Sequence, residues 1–360
     1  MTQVKAAVCR EFGAPLEIET VNLRAPEAGE LEVTLSACAI CHSDISYAEG
    51  AWGGKLPAIF GHEAAGIVTA VGESSGGLSV GDRVVVTLIR ACGACPSCGS
   101  GRPVACESPD PRNPITDANG APIVQAMFCG AFAEKIVVHH SQAVKVPETM
   151  PMDSAALLAC GVITGVGAVV NAAELRAGQD VVVIGAGGVG LNAIQGARIA
   201  GARRIVAVDM TEEKLETAKR FGATDGILAT NPKPWKDLYR AIGRMADAVI
   251  VTVGALPAYD TAPRFLAPGG QVIMVGMPHS GGTATYEPVI FAATGQGMKG
   301  SKMGDVVIAR DIPWMVDLYQ QGRLELDDLI SNRYALDQIN EAIADTKSGT
   351  AKRNVIVFDT

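Results

Sequence analysis

Cys92, Cys95, Cys98 and Cys106 form one tight group, with two, two and seven residues between successive members. Thiolates at this spacing can all point at a single tetrahedral ion, which is the chemistry of zinc. Gly93, Gly99 and Gly101 supply the tight turns that such a knuckle needs. Four thiolates close the coordination sphere, so the ion would be structural, and its binding would supply much of the stability of a stretch poor in apolar residues. A second set is dispersed: Cys41 in C-H-S-D-I-S, His62 in G-H-E and Cys160 in L-L-A-C-G. Three such ligands with an open fourth position suit a catalytic zinc, although their separation leaves open whether they converge or are ordinary core residues. The third pattern is G-x-G-x-x-G at Gly185, Gly187 and Gly190, after the β-branched run Val181 to Ile184. The first glycine allows a tight turn, the second lets backbone N–H groups approach a pyrophosphate, and the third lets helix and strand pack closely. Asp209, nineteen residues beyond Gly190, is where a carboxylate would accept hydrogen bonds from an adenosine ribose.

The elements that must position these residues fall into two groups. Val4 to about Val146 reads as short alternating strands broken by Gly and Pro, such as Leu31 to Leu35 and Arg83 to Val86, so this half is expected to be mostly β. From Val181 the pattern changes. Val189, Ala193, Ile194, Ala197 and Ala200 share one helical face, Gly201 ends the helix, and Ile205 to Val208 start a second strand. Thr211 with Glu212 and Glu213 opens a helix that Gly222 closes, and Ala246 to Val253 and Gln271 to Gly276 read as further strands. This strand-helix alternation predicts an α/β fold with a doubly wound parallel sheet. Beyond Gly300 come two amphipathic helices and a last strand, Asn354 to Phe358, expected to return to the first domain. The boundaries are placed at 1–161 with 302–360, and 162–301.

At 360 residues the chain has length for about two domains. Its net charge of −8 and the lack of a basic run argue against a nucleic-acid surface. The first ten residues lack the apolar centre of a signal peptide, and nine cysteines, an odd number unevenly placed, do not form a disulfide framework; both point to the cytoplasm. The uncharged stretch Ser154 to Ala173 is long enough to span a membrane, but its glycines and Thr164 favour a buried helix pair.

With these residues assembled, the chain resembles the zinc-dependent medium-chain alcohol dehydrogenases over nearly its whole length. The resemblance rests on G-H-E at Gly61 to Glu63, the four-cysteine knuckle, C-G-x-x-T-G at Cys160 to Gly165 and G-A-G-G-V-G at Gly185 to Gly190. It implies a GroES-like, mostly β catalytic domain beside a Rossmann domain, two zinc ions per chain, and NAD. Cys41, His62 and Cys160 would bind the catalytic zinc, with Glu63 as an occasional fourth ligand and Asp44 orienting His62 from its far nitrogen. An alcohol at the open position would lose its proton near neutral pH and pass a hydride to the nicotinamide, while Ser43 relays the proton. Many relatives end that relay at a histidine three residues beyond Ser43; here the position is Ser46, which is no base near pH 7. The resemblance also implies that Gly188 and Val189 in the glycine-rich loop, His42 and Arg353 contact the pyrophosphate, and that Lys214 contacts the adenosine ribose.

Asp209 would repel a 2′-phosphate, and neither Met210 nor Thr211 offers a compensating cation, so NAD is favoured over NADP. By family position Trp52, Leu88, Met127, Met277 and Lys302 wall the substrate pocket, which suggests an apolar primary or secondary alcohol. A glutathione-dependent formaldehyde dehydrogenase is the nearest alternative, but Gly50 to Pro57 contains no acid to anchor its charged adduct. A non-catalytic cofactor-binding relative would lack the Cys41, His62 and Cys160 set. Assembly as a homodimer or homotetramer is expected through the edge of the dinucleotide sheet, with Gln271 to Gly276 and the apolar run Val289 to Ala293 continuing it across a two-fold axis.

Overall fold

A computed structural model describes residues 1–109 and 112–359, which divide into two compact units, 1–160 with 307–360, and 161–306. The first unit is built on antiparallel strands. A five-stranded sheet carries Thr2–Cys9 against Glu17–Leu23, and a seven-stranded sheet is organised around the long strand Glu30–Ala39. That strand pairs antiparallel with Glu63–Val71 on one side and with Arg353–Val357 on the other. The C-terminal strand thus joins the sheet of the first unit, and Ile330–Tyr334 extends that sheet beyond it. Buried Leu31, Val33, Leu35, Val68, Val84, Val86 and Ile136 pack as its core.

Register is what this sheet contributes to chemistry. Ala39 lies opposite both Glu63 and Val355, so the chain leaving Ala39 toward Cys41 runs beside the chain entering at His62 and beside Arg353. A one-residue slip would turn every side chain to the other face.

The second unit has a six-stranded parallel sheet. Its order is Asp225–Leu228, Arg204–Asp209, Asp180–Ile184, Ala246–Val251, Leu266–Met274 and Gly297–Gly300. The order reverses on either side of Asp180–Ile184, which makes the C-terminal end of that strand the switch point where dinucleotides bind. The helix Gly188–Ala200 follows, closed by Gly201 in the left-handed conformation. It is buried on nearly all sides from Gly190 to Ala197 rather than along one apolar face, because helix Ile163–Gly167 packs tightly against it. A Cβ on Gly165 would meet the Val189 carbonyl at 2.4 Å, and one on Gly196 would meet Val166 Cα at 2.9 Å.

Two expectations are corrected here. The uncharged stretch is not a helix pair: Met152–Ala172 is a single, mostly buried helical run in which α and π turns alternate. Val289 to Ala293 does not continue the sheet. Pro288 opens a helix there and Gly295, at φ 67°, ends it, so the edge strand is Gly297–Gly300.

The start of the central strand is held by a buried ion pair. Arg24 makes two bonds of 2.6 and 2.9 Å to Glu30, and the Glu27 amide adds a third at 2.8 Å. Burial pushes the Glu30 carboxyl up, but Arg24, the Glu27 amide and Arg112 outweigh it and hold the group below its usual value of 4.5. Stability from this group is therefore fully present above about pH 4.5 and lost as pH falls through the lower folded value. Arg24→Met is expected to cost about 3 kcal/mol at neutral pH by leaving a buried carboxylate poorly paired, and to move the acid unfolding transition to higher pH. Urea melts of both proteins between pH 3 and 7 check this.

Candidate metal and dinucleotide sites

The buried end of the central strand collects one set of donors. Cys41 is the N-cap of helix His42–Ala48, His62 immediately precedes the neighbouring strand that Glu63 opens, and Cys160 sits in the π turn Leu158–Val162. Ligand atoms of Cys41, His62, Glu63 and Cys160 all lie within 4.8 Å of one another, so the dispersed set converges. A bulge of this π type often marks a functional position, because it re-aims one side chain out of the regular helical repeat.

Asp44 fixes the geometry. Its Oδ1 accepts from the Gly61 amide at 2.8 Å and lies 2.9 Å from His62 Nδ1, while Oδ2 accepts from the Cys41 amide at 3.1 Å. His62 Nδ1 therefore donates to Asp44, which leaves the buried Nε2 to face the donor cluster. Gly61 makes the approach possible: it has φ +90°, and a Cβ there would lie 2.6 Å from the Phe132 amide nitrogen.

The electrostatics fit a divalent cation. Cys41 is held well below the ordinary thiol value by the hydrogen bond from Cys160, with His62 and Arg353 adding to it against burial. Cys160 is raised correspondingly, first by giving that hydrogen bond and then by burial, so the two sulfurs share one proton that a cation would replace. Burial lifts Glu63 to about 7 against the opposing pull of Arg353. Arg353, expected at the pyrophosphate, is only 6% exposed and forms an ion pair with Glu63. Nothing in the sequence pattern signals that pair, since its members are 290 positions apart.

The knuckle is also assembled. The sulfurs of Cys92, Cys95, Cys98 and Cys106 lie within 4.8 Å of one another, close to the separation of about 3.8 Å that ligands at 2.3 Å from one tetrahedral ion would have. Backbone amides of Ala94 and Cys95 donate to Cys92 at 3.4 and 3.3 Å, and those of Cys98 and Glu107 donate to Cys95 at 3.5 Å each. Hydrogen bonds from Ser108 and then from these amides lower Cys92 to about 6, whereas burial raises Cys98 to about 11. Amide donors around a sulfur stabilise its thiolate form, and the set fits zinc.

In the other unit, the glycine-rich loop lies at the sheet's switch point. Gly185 has φ +99°, and a Cβ on Gly190 would meet the Gly185 carbonyl at 1.8 Å. Gly188 and Val189 form the first turn of the helix, whose N-cap is Gly187. Asp209 ends its strand but is only 7% exposed: Oδ2 accepts from the Ala186 amide at 2.6 Å and Oδ1 from the Met210 amide at 2.7 Å. It is therefore not the exposed crevice residue that its place at a strand end suggests. The cap of the next helix is Thr211, whose hydroxyl accepts from the Lys214 amide, and the Lys214 ammonium reaches to 4.0 Å from Asp209.

Among the remaining expected site residues, His42 is exposed at the first position of its helix, and Ser43 and Ser46 are half-buried one turn apart. Trp52 packs edge-on against Tyr47 at 4.9 Å, and Leu88 and Met127 lie partly buried on the core. Met277 and Lys302, in the other unit, are exposed.

Comparison with known proteins matches residues 27–148 to the alcohol dehydrogenase GroES-like domain and residues 188–321 to the zinc-binding dehydrogenase family. The chain belongs to the zinc-dependent medium-chain alcohol dehydrogenase family. It is 34% identical to the S-(hydroxymethyl)glutathione dehydrogenase of Paracoccus denitrificans over 99% of this chain and 100% of that protein. A solved alcohol dehydrogenase zinc-binding domain protein from Burkholderia ambifaria is 34% identical with a TM-score of 0.95, covering 100% of both chains. The benzyl alcohol dehydrogenase of Acinetobacter calcoaceticus is 32% identical with a TM-score of 0.93, again over 100% of both. As a member of this dehydrogenase family the protein is a zinc- and NAD-dependent alcohol dehydrogenase, and its two donor clusters are consistent with two zinc sites.

Replacing Asp44 by Asn keeps the shape but removes the charge that fixes the His62 tautomer. The expected result is a 10- to 100-fold loss of activity or of catalytic-site metal affinity, with the knuckle metal retained. Steady-state rates and a competitive chelator titration measure it.

Proposed function

We propose that Cys41, His62 and Cys160 hold the catalytic zinc and that the reaction is reversible oxidation of an apolar primary or secondary alcohol to an aldehyde or ketone. The observation that carries this reading is the convergence of two sulfurs, one imidazole and one carboxylate in a buried site. When bound, zinc would acidify the alcohol hydroxyl and NAD would take the hydride from its carbon, giving carbonyl product, NADH and a proton. Around that chemistry, Asp44 sets the imidazole, and Glu63 serves as a reserve fourth ligand that Arg353 holds aside. Ser43, half-buried beside Cys41, takes the hydroxyl proton through its own hydroxyl and passes it outward. Ser46 lies one helical turn farther along the same face and has no basic group, so the proton leaves to water.

For the cofactor, the G-A-G-G-V-G loop with Gly185, Gly187, Gly188, Val189 and Gly190 takes the pyrophosphate, and His42 contributes a cationic or hydrogen-bonding side chain. Asp209 and Lys214 take the adenosine ribose. Trp52, Leu88 and Met127 are assigned to the substrate pocket. The apolar character of Trp52, Leu88 and Met127 and the similarity to a benzyl alcohol dehydrogenase support an apolar substrate. Similarity to an S-(hydroxymethyl)glutathione dehydrogenase keeps a glutathione adduct as a second reading. We further assign the protein to the cytoplasm as a homodimer or homotetramer. Support for assembly comes from the exposed Tyr286, Val289, Ile290 and Met298 beside the sheet edge.

NADH absorbance over aliphatic, aromatic and secondary alcohols, with and without glutathione, tests the reaction. Turnover that requires glutathione would select the second reading. For the cofactor, kcat/KM is expected to favour NAD over NADP at least tenfold, a factor that about 1.4 kcal/mol supplies. Asp209→Gly should admit NADP and weaken NAD. It should also lower the melting temperature, because the Ala186 and Met210 amides lose their acceptor. An unchanged NAD to NADP ratio would contradict the role given to this carboxylate.

A further inference from the structure

The turn Ala126–Phe128 places two successive bulky residues in the left-handed region. Met127 has φ 49° and ψ 32°, Phe128 has φ 59°, and Gly130 follows at φ 58°. Among the described residues this conformation is otherwise left almost entirely to glycine: Ser74, Glu174, Met303 and Asp305 are the other exceptions. For a residue with a Cβ it is strained, because the side chain crowds the following carbonyl. Two glutamines hold the turn in place. Gln142, itself buried, donates to the carbonyls of Thr87 and Phe128 at 3.0 Å each, and Gln125 donates to those of Cys129 and Val137 at 2.9 Å each.

Core packing does not repay the cost at Phe128. Met127 packs on the core of this unit, but the Phe128 side chain is not part of that cluster and the residue is 47% exposed. The turn nevertheless leads within three residues into a segment bonded to the chain just before the metal donors. Ala131 donates to the Gly61 carbonyl at 2.9 Å and Phe132 to the Phe60 carbonyl at 2.8 Å, so Phe128 lies three residues from a direct contact with the residue before His62. That limits its Cα to within about 11 Å of the Ala131 Cα. On the other side, the carbonyl bound by Gln142 belongs to Thr87, the neighbour of Leu88. Strain that its own packing does not repay is characteristic of a ligand clamp.

We infer that Phe128 is a specificity-determining residue, its ring held out by the glutamine clamp to form a wall against the apolar, aromatic-sized group of an alcohol substrate. This rests on the dehydrogenase reading above and narrows its substrate class to arylmethanols and alcohols of similar bulk. Ring-on-ring contact in offset or edge geometry supplies the discrimination over a short aliphatic chain.

The test compares wild type, Phe128→Gly, Phe128→Asn and Phe128→Tyr with benzyl alcohol and ethanol as substrates and NAD as cofactor. Glycine and asparagine both tolerate the left-handed conformation, so one can stand in if the other fails to fold. In wild type, kcat/KM should be higher for benzyl alcohol than for ethanol. That ratio should fall at least fivefold in both ring-less variants and hold in Phe128→Tyr, while Phe128→Gly raises the melting temperature by about 2–4 °C as strain is released. A smaller fall overturns the inference, whatever the melting temperature does. A wild-type chain that oxidises ethanol but not benzyl alcohol also overturns it and leaves the dehydrogenase reading intact. A wild-type chain inactive on every alcohol contradicts that reading instead. Saturation-transfer NMR on benzyl alcohol then decides the inference separately: transfer to the ring protons from wild type but not from the ring-less variants supports it, and equal or absent transfer overturns it.

Discussion

One carboxylate fixes the geometry of the buried donor cluster in this protein. Asp44 binds the Cys41 amide, the Gly61 amide and the His62 imidazole together, and so joins a helix start, a left-handed turn and a strand start through two oxygens. Each of those three segments delivers a metal donor or adjoins one. Remove the carboxylate and the imidazole loses its fixed tautomer, the turn loses an acceptor and the helix loses its capping partner at once. Three donors on one buried carboxylate satisfy oxygens that burial has taken from water.

The two units meet different physical demands in different ways. Antiparallel pairing in the first lets sequence-distant segments lie side by side, so Cys41, His62 and Arg353 gather at one end of three adjacent strands. Parallel pairing in the second puts every strand's C-terminal end on one edge, where the glycine-rich loop and Asp209 stand next to each other. The two carboxylates are set differently. Burial pushes the Glu63 carboxyl up to about 7 despite its ion pair with Arg353, whereas both Asp209 oxygens accept from backbone amides. A group poised between protonation states can act as an exchangeable ligand; a fully bonded one is a fixed acceptor.

Most of the dinucleotide unit was legible because its signals are local. The strand at Val181, the spacing of the glycines and the helix cap at Thr211 all lie within reach of short-range periodicity and turn chemistry. The knuckle was legible for the same reason, its four ligands spanning a single short stretch. Convergence of Cys41, His62 and Cys160 was not, since register between strands depends on packing across the whole sheet; the family resemblance supplied what spacing could not. Periodicity also misread Val289 to Ala293, where apolar content is common to strand and helix and only Pro288 and Gly295 mark the helix. The glutamine clamp at Phe128 and the Glu63–Arg353 pair had no sequence signal, because each depends on residues brought together only by the fold.

The central claim is that two separate donor clusters hold zinc with different consequences, and metal counting on matched variants addresses it directly. Wild-type enzyme should contain two zinc ions per chain by elemental analysis, in keeping with the two clusters. Cys160→Ser should retain one, keep binding NAD and lose turnover, whereas Cys95→Ser should lose the other and melt at lower temperature. Fully active enzyme with one zinc or none, or a Cys160→Ser variant that keeps both metals and its activity, would contradict the account.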